Sequence, residues 1–580
     1  MCAACTDISD PWGNFDPYEE GGQGQDPGQS VVVNPPAETS PESSGVEIED
    51  ESDSDDNVDN TNFDGTINIA FSGSDASVSG SVEGVTVEKS GARVTVTNSG
   101  DSKVKYVLSG SSSDGFFKLY SSKKQAIVLS NLTLSNTRGA AINNQSKKRT
   151  FVVVEGTNTL ADGAVNGSGD YPEQTSDEDM KAALFSEGQL IFSGGGSLKV
   201  TAQGKAGITS DDYVRFMTGC NVSVASSAGH GVRGKDAIIV SGGTINVSLE
   251  AAATAKKCFS TDSLVYFGAG VTTLVNKASA GTVDGELTGA ACIKADKLFV
   301  IQGGELSATA SGKGGKGISG DANGYFEGGK VTVTVTGSNY GSSNSREDNS
   351  VAAKGIKFDG NLEFSGSEVI ASASSHEAIE AKGTVYISGG CISAISGDDS
   401  INSGSTMTIT DGVVYAYSTG NDGLDANGNM IIRGGTVYAI GKGNPEVGLD
   451  ANTERNYRLY ILGGNVIVIG GIESGSSVSQ CMISTSWSKS TSCSLCDGDN
   501  ALFSFKTPSS GGTGLYMTAP SLVSGTKYSL KTSATVSGAT SYFDGVLSVG
   551  GTATGGSTSS VTASTYSSGG GGGNNPGGRW

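Results

Sequence analysis

The sequence predicts an all-β chain built around a parallel β-helix. Three observations predict it: glycine at 88 of 580 positions, short alternating strands in place of helix-length segments, and a repeat with a step of 22 to 25 residues. Glycine this dense is hostile to helices, and no Gly-X-Y period marks it as collagen. Strict alternation at Thr66-Ile-Asn-Ile-Ala70, Val85-Thr-Val87, Val94-Thr-Val96 and Ala126-Ile-Val-Leu129 marks half-buried strands.

The repeat reads small-apolar-x-small, a short turn, two or three β-formers, Gly-Gly, and a second alternating strand. Copies run from Gly231 to Val247, Cys292 to Ala308, Ala378 to Ala394, Ser400 to Ala416 and Gly423 to Ala439. In the late copies the second Gly falls at 390, 412, 435 and 464, steps of 22, 23 and 29. A unit of this length with three short strands fits one coil of a β-helix. Leucine-rich and TPR arrays need a helix per unit, and a WD40 blade needs roughly 40 residues. The Gly-Gly pair is expected at a corner with positive φ.

Four regions follow. Residues 1–62 are acidic and rich in Pro, Gly and Ser, a composition that buries too little apolar surface to fold; they read as a disordered tether. Residues 63–475 carry the repeat. Residues 476–565 break it and read as a small β cap over the apolar end of the solenoid. Residues 566–580 are a Gly-rich tail. The chain holds 60 acids against 38 bases, a net charge of −22, which disfavours nucleic-acid binding. No run of 18 apolar residues offers a bilayer-spanning helix.

The start, Met1-Cys-Ala-Ala-Cys5-Thr-Asp, lacks the basic and apolar regions of a secretory signal. Ala-Ala-Cys5 before an acidic tract is nevertheless like a bacterial lipoprotein cleavage site, so Cys5 is expected to carry lipid and the protein to sit at the cell surface. Cys493-Ser-Leu-Cys496 has CxxC spacing but no strand–helix context, and no pair of CxxC motifs suggests a zinc site. A small disulfide among Cys481, Cys493 and Cys496 is one option, and single cysteines such as Cys292 and Cys391 are expected to be packing residues.

Aligning the late coils on Ile379, Ile401, Leu424 and Leu449 (steps 22, 23 and 25) produces two columns of polar residues. One position after the apolar residue stand Glu380, Asn402, Asp425 and Asp450; two before it stand Glu377, Asp399, Asp422 and Val447. Equivalent positions in a β-helix stack about 4.8 Å apart. Two carboxylates at that distance repel by about 3 kcal/mol at an effective dielectric near 20. Hard oxygen ligands of this kind select Ca²⁺, so Ca²⁺ is expected between these coils. The preceding coil carries Lys354 and Lys357 in the matching columns, where they either close the acid columns or meet an anionic ligand.

In the strand after Gly-Gly, Tyr415 stacks with Tyr438, and Tyr417 is the next outward position. This strip is either a platform for sugar rings or a surface covered by the C-terminal module. Catalytic signals are sparse: the only histidines are His230 and His376, and no G-x-S-x-G elbow is present. Glu377 and Glu380 could pair as glycosidase acids by type, but their recurrence favours a structural or metal role.

Several stretches resemble the bacterial family of calcium-binding, carbohydrate-binding parallel β-helix proteins. They are Val107-Leu-Ser-Gly, Ala126-Ile-Val-Leu-Ser-Asn-Leu-Thr-Leu134, Gly139-Ala-Ala-Ile142, Val154-Glu-Gly-Thr-Asn-Thr-Leu-Ala-Asp-Gly163 and Gly423-Leu-Asp-Ala-Asn-Gly428. The resemblance spans roughly 63–475. It implies a right-handed β-helix of the pectate-lyase type that binds polysaccharide such as cellulose or polygalacturonate. The family's Gly-Asp-Gly-Ile turns match best at Asp422, Gly423 and Asp425, then at Asp450. They match poorly at Gly229-His-Gly-Val232, Gly315-Lys-Gly-Ile318 and Lys354-Gly-Ile356.

The leading expectation is a non-catalytic, Ca²⁺-dependent or Ca²⁺-stabilised polysaccharide-binding surface protein. Its alternatives are a uronate lyase using Lys354, Lys357 or Arg433 as base, and a structural adhesin.

Overall fold

The computed structural model describes residues 35–49, 51–52, 54–341 and 350–566. The described residues fall into two units. Residues 35–40 belong to the first and carry no helix or strand; Pro41 onward form the second. The lipidation expected at Cys5, most of the proposed tether and nearly all of the Gly-rich tail lie outside the described residues.

The second unit is a β-solenoid. Each coil contributes one strand to a 15-stranded sheet and two strands to a larger sheet of 32. A coil such as Ile401–Ser403, Met407–Ile409, Val413–Ser418 pairs in parallel with the coil before it and the coil after it on all three strands. Side chains alternate along each strand, so every second residue points inward. Ile379, Ile401, Leu424 and Leu449 stack there with no exposure. An internal phenylalanine ladder includes Phe192–Phe216 at 5.2 Å, Phe299–Phe326 at 5.2 Å and Phe326–Phe364 at 4.7 Å between ring centroids.

The corner glycines behave as the repeat requires. Gly390, Gly412, Gly435 and Gly464 have φ of 81°, 91°, 74° and 82°, and a Cβ at Gly412 would lie 2.9 Å from the backbone of Gly389. The irregular step of 29 has a local cause. A 3-10 turn at Thr453–Arg455 is inserted between Leu449–Ala451 and Leu459–Ile461, so the corner lengthens while the strands keep their register.

A parallel stack ends in unpaired backbone, which invites edge-to-edge association. The last long strand, Asn465–Ile469, is paired antiparallel by Leu515–Thr518, which pairs in turn with Cys481–Thr485. Beyond these, the C-terminal segment forms an antiparallel sheet of eight strands. Cys481, Cys493 and Cys496 form no disulfide; all three are free thiols, with Cys493 and Cys496 buried in this module.

The acidic run expected to be part of a disordered tether is placed at residues 42–49, 51–52 and 54–56, where it lies along the solenoid as a strap. Ser44 donates from its N–H to Glu327 Oε1 (2.7 Å), and Val46 and Ile48 pack on Tyr266, Val300 and Tyr325. Asp56 pairs with buried Arg215 at 3.0 Å and with Arg149 at 2.7 Å. Composition failed here because the basic residues that neutralise the run, Lys124, Arg149 and Arg215, lie far from it in sequence, the nearest of these pairs being 69 positions apart. Breaking a buried ion pair strands the remaining charge. Asp56→Ala is therefore expected to cost about 3 kcal/mol, read by thermal melting and by faster proteolysis between residues 41 and 62. Unchanged cleavage there contradicts the strap.

Candidate functional site

Polar residues on the outer face of the 15-stranded sheet fall into columns because successive coils pair without slippage. One column runs Lys294, Ser319, Lys357, Glu380, Asn402, Asp425, Asp450, each opposite the next. The second contains Lys257, Ala291 and Lys316, followed by Lys354, Glu377, Asp399 and Asp422 at the strand entrances. Backbone bonds hold those entrances together: Gly317 N–H donates to the Lys354 carbonyl, Gly355 N–H to that of Glu377, and Ser400 N–H to that of Asp422. The face is basic through Lys357 and acidic from Glu377 onward.

Glu377, Asp399 and Asp422 are buried, and Glu380, Asp425 and Asp450 are half-buried. Lys354 closes the acid columns at their basic end, 2.6 Å from Glu380 and 3.2 Å from Glu377. Burial would lower the Lys354 pKa, but the two carboxylates outweigh it and raise it. Burial likewise opposes ionisation of Glu377, yet the His376 ring and Lys354 hold it below its ordinary value. These two coils are electrostatically settled.

The next coils are not. Burial, reinforced by Asp425, pushes the Asp399 carboxyl up to about 7. Burial, with Asp399 and Glu446 nearby, pushes Asp422 up to about 8. Burial, with Glu377 and Glu446, pushes Asp425 up to about 6. Asp450 is driven upward by burial and by a hydrogen bond shared with Glu473. Asn402 stands between two of these acids, donating from Nδ2 to Asp425 (2.7 Å) and Asp399 (3.2 Å). Asp399 also accepts from Asp422 N–H at 3.0 Å, and Asp422 from Val447 N–H at 2.5 Å.

The donor set suits a hard divalent cation. It offers carboxylates of Asp399, Asp422 and Asp425, and an Asn402 amide whose NH₂ now occupies the middle of the group. Among the described residues, three potential ligand atoms converge within 4.8 Å of one another at two places, His376 with Glu377 and Asp398, and Asp179 with Glu187 and Asp211; the carboxylates of Asp399, Asp422 and Asp425 line successive coils without closing to that distance. Of the first group, Glu377 was expected as a ligand, whereas His376 and Asp398 were missed in the sequence. Their signal was the column one position earlier, His376, Asp398, Asn421, where Asn421 Nδ2 donates to Asp398 at 3.1 Å.

The tyrosine strip is not an open platform. Tyr438 is fully buried and Tyr415 is 8% exposed. Both pack beneath the C-terminal module, Tyr438 against Phe505 at 5.3 Å and with its hydroxyl donating to the Lys506 carbonyl at 3.0 Å. Tyr417 is half-buried beside Ser510. Sequence patterning left two readings open, a platform for sugar rings and a surface covered by the C-terminal module, and the structure shows the second. Of the two roles expected for Lys354, closing the acid columns or meeting an anionic ligand such as a sugar carboxylate, the structure shows the first, since it pairs with Glu377 and Glu380. Lys357 bonds Asp359 and borders a basic recess.

A family model described as carbohydrate-binding domain-containing protein matches residues 90–400. The match includes the basic columns, Glu377, Glu380 and Asp399, and stops before Asn402. No curated protein matches the chain. A solved structure, the gadolinium derivative of the polysaccharide lyase-like protein from C. thermocellum, is similar at 16% identity over 53% of this chain and 94% of that one, with a TM-score of 0.30. At that TM-score the likeness adds nothing to the fold read from the chain itself.

The raised carboxyls have a defined effect on stability. Their unfolded values lie near 3.9, so the folded state binds the extra protons. Their contribution is fully present below about pH 4 and is lost as pH rises through about 6 to 8. In EDTA the melting temperature should therefore fall between pH 5 and pH 8.5. Asp425→Asn, which removes one like charge, should raise it at pH 8; a lower melting temperature in that variant contradicts the repulsion. Tyr438→Ala should cost about 4 kcal/mol through lost packing under the module; an unchanged melting temperature would show the ring to be uncovered.

Proposed function

Because the chain belongs to the carbohydrate-binding domain-containing family, we propose that it is a non-catalytic polysaccharide-binding protein whose acidic coils take up Ca²⁺. The family match over residues 90–400 supports the sugar partner. The observation that carries the metal is the uncompensated stack at Asp399, Asp422 and Asp425, where burial and mutual repulsion favour protonation unless a cation arrives. Those three residues, with Asn402, would hold the ion; Asp450 would extend the column. When bound, Ca²⁺ supplies charge neutralisation and a Lewis-acidic contact for sugar hydroxyls or carboxylates. This chain's own residues set the coil register that places those donors.

Glycans of the cellulose or polygalacturonate type are the expected partners, and the cell surface, through lipid at Cys5, is the expected location. The geometry gives the lyase reading no support at Lys354. An ammonium held between two carboxylates, with its pKa raised, stays protonated and is a poor base.

Retention on insoluble cellulose and pectin, run with Ca²⁺ and with EDTA, tests both halves. Binding to at least one glycan is expected, together with a higher melting temperature in Ca²⁺ that is lost in Asp425→Asn. No retention on any polysaccharide would overturn the sugar reading. A Ca²⁺ response identical in wild type and Asp425→Asn would overturn the metal reading.

A further inference from the structure

The basic half of the same face contains a recess with a cavity of about 150 Å³. Its geometry comes from the alternation of large and small residues over successive coils. Ala291 lies between Lys257 and Lys316 in one column, and Ser319 lies between Lys294 and Lys357 in the other. The two small residues leave a hollow, and the four lysines stand around it. Gly289 adds room at the wall, since a Cβ there would lie 3.1 Å from Lys316 Nζ.

The charges around the hollow are unevenly compensated. Lys294 pairs with Asp321 and lies 3.4 Å from Asp296, and Lys357 pairs with Asp359. Lys257 reaches only a backbone carbonyl, that of Ala255, at 3.0 Å. Lys316 has no carboxylate or carbonyl partner among the described residues, although it lines the cavity. Burial and the neighbouring ammonium groups of Lys357 and Lys354 lower the Lys316 pKa to about 8. Burial and Lys256 do the same at Lys257. Two ammonium groups are thus left without an anion in a concave, partly desolvated place, an arrangement that costs free energy unless a counter-charge enters.

We propose that this recess binds a doubly charged tetrahedral oxyanion of the phosphate type. Two uncompensated positive charges match a dianion. Compact ammonium donors arriving from four coils suit oxygens that point in different directions, whereas a planar carboxylate is better met by the fork of an arginine. The proposal rests on the glycan-binding reading only for the source of the group: a phosphorylated sugar, as opposed to free phosphate.

Calorimetry on the full chain in EDTA, at pH 7.5 and constant ionic strength, tests it with inorganic phosphate, sulfate, acetate and glucose 6-phosphate. Phosphate and sulfate are expected to bind at least about tenfold more tightly than acetate, and Lys316→Gln and Lys257→Gln each to lose about tenfold, the scale of one charge-assisted contact. Lys316→Gln should also melt higher than wild type in anion-free buffer, because it removes an unpaired charge, so a folding defect would be visible as such. Tighter binding of glucose 6-phosphate than of phosphate supports a sugar-borne group; the reverse order assigns the pocket to the free ion. Phosphate binding no tighter than acetate, or unchanged in both variants, overturns the pocket. Retention on polysaccharide without phosphate binding removes the pocket and leaves the proposed function standing, while phosphate binding without retention does the opposite.

Discussion

Backbone hydrogen bonding between successive coils, with a rise of about 4.8 Å, forces any residue that recurs at the coil period to stand over its own counterpart. Inside the solenoid this builds continuous apolar ladders, such as Ile379, Ile401, Leu424 and Leu449. Outside, the same constraint stacks like charges, which no isolated strand pair would tolerate in number. The polar face of the 15-stranded sheet is therefore a record of how each stack is neutralised. Where the column changes sign, at Lys354 with Glu377 and Glu380, the protein neutralises itself. Away from that junction neutralisation is incomplete, at Asp399, Asp422 and Asp425 on one side and at Lys257 and Lys316 on the other.

The same geometry explains what surrounds the face. A solenoid has no closed core, so its ends and outer surfaces need separate covers. The C-terminal module covers the last strand edge and buries Tyr415 and Tyr438, and the strap at residues 42–49 and 54–56 covers part of another face through Glu327 and Arg215. On the polar face of the 15-stranded sheet, acidic coils from Glu377 onward follow the basic coils that carry Lys257, Lys294, Lys316 and Lys357.

Much of this was legible in the sequence, because period and alternation are local signals. The coil step, the Gly corners with positive φ and the pairing of Asp425 with Asn402 and Asp450 all follow from counting residues. Contacts between distant segments were not legible. Glu42 to Asp56 read as a spacer because Arg149 and Arg215, which hold it, are far along the chain. Tyr438 read as outward-facing, and it is, yet Phe505 lies on top of it. The basic recess escaped notice because its signal is the absence of size at Ala291 and Ser319, and a gap has no residue type to search for.

A crystal structure determined from protein soaked in Ca²⁺, with anomalous data collected on the metal, tests the central claim most directly. A calcium peak is expected bounded by Asp399, Asp422 and Asp425, with the coils stacked in register, and none among the lysines at Lys257 and Lys316. Anomalous density absent from the acidic coils at saturating Ca²⁺, or found with those three side chains turned away from one another, would contradict it.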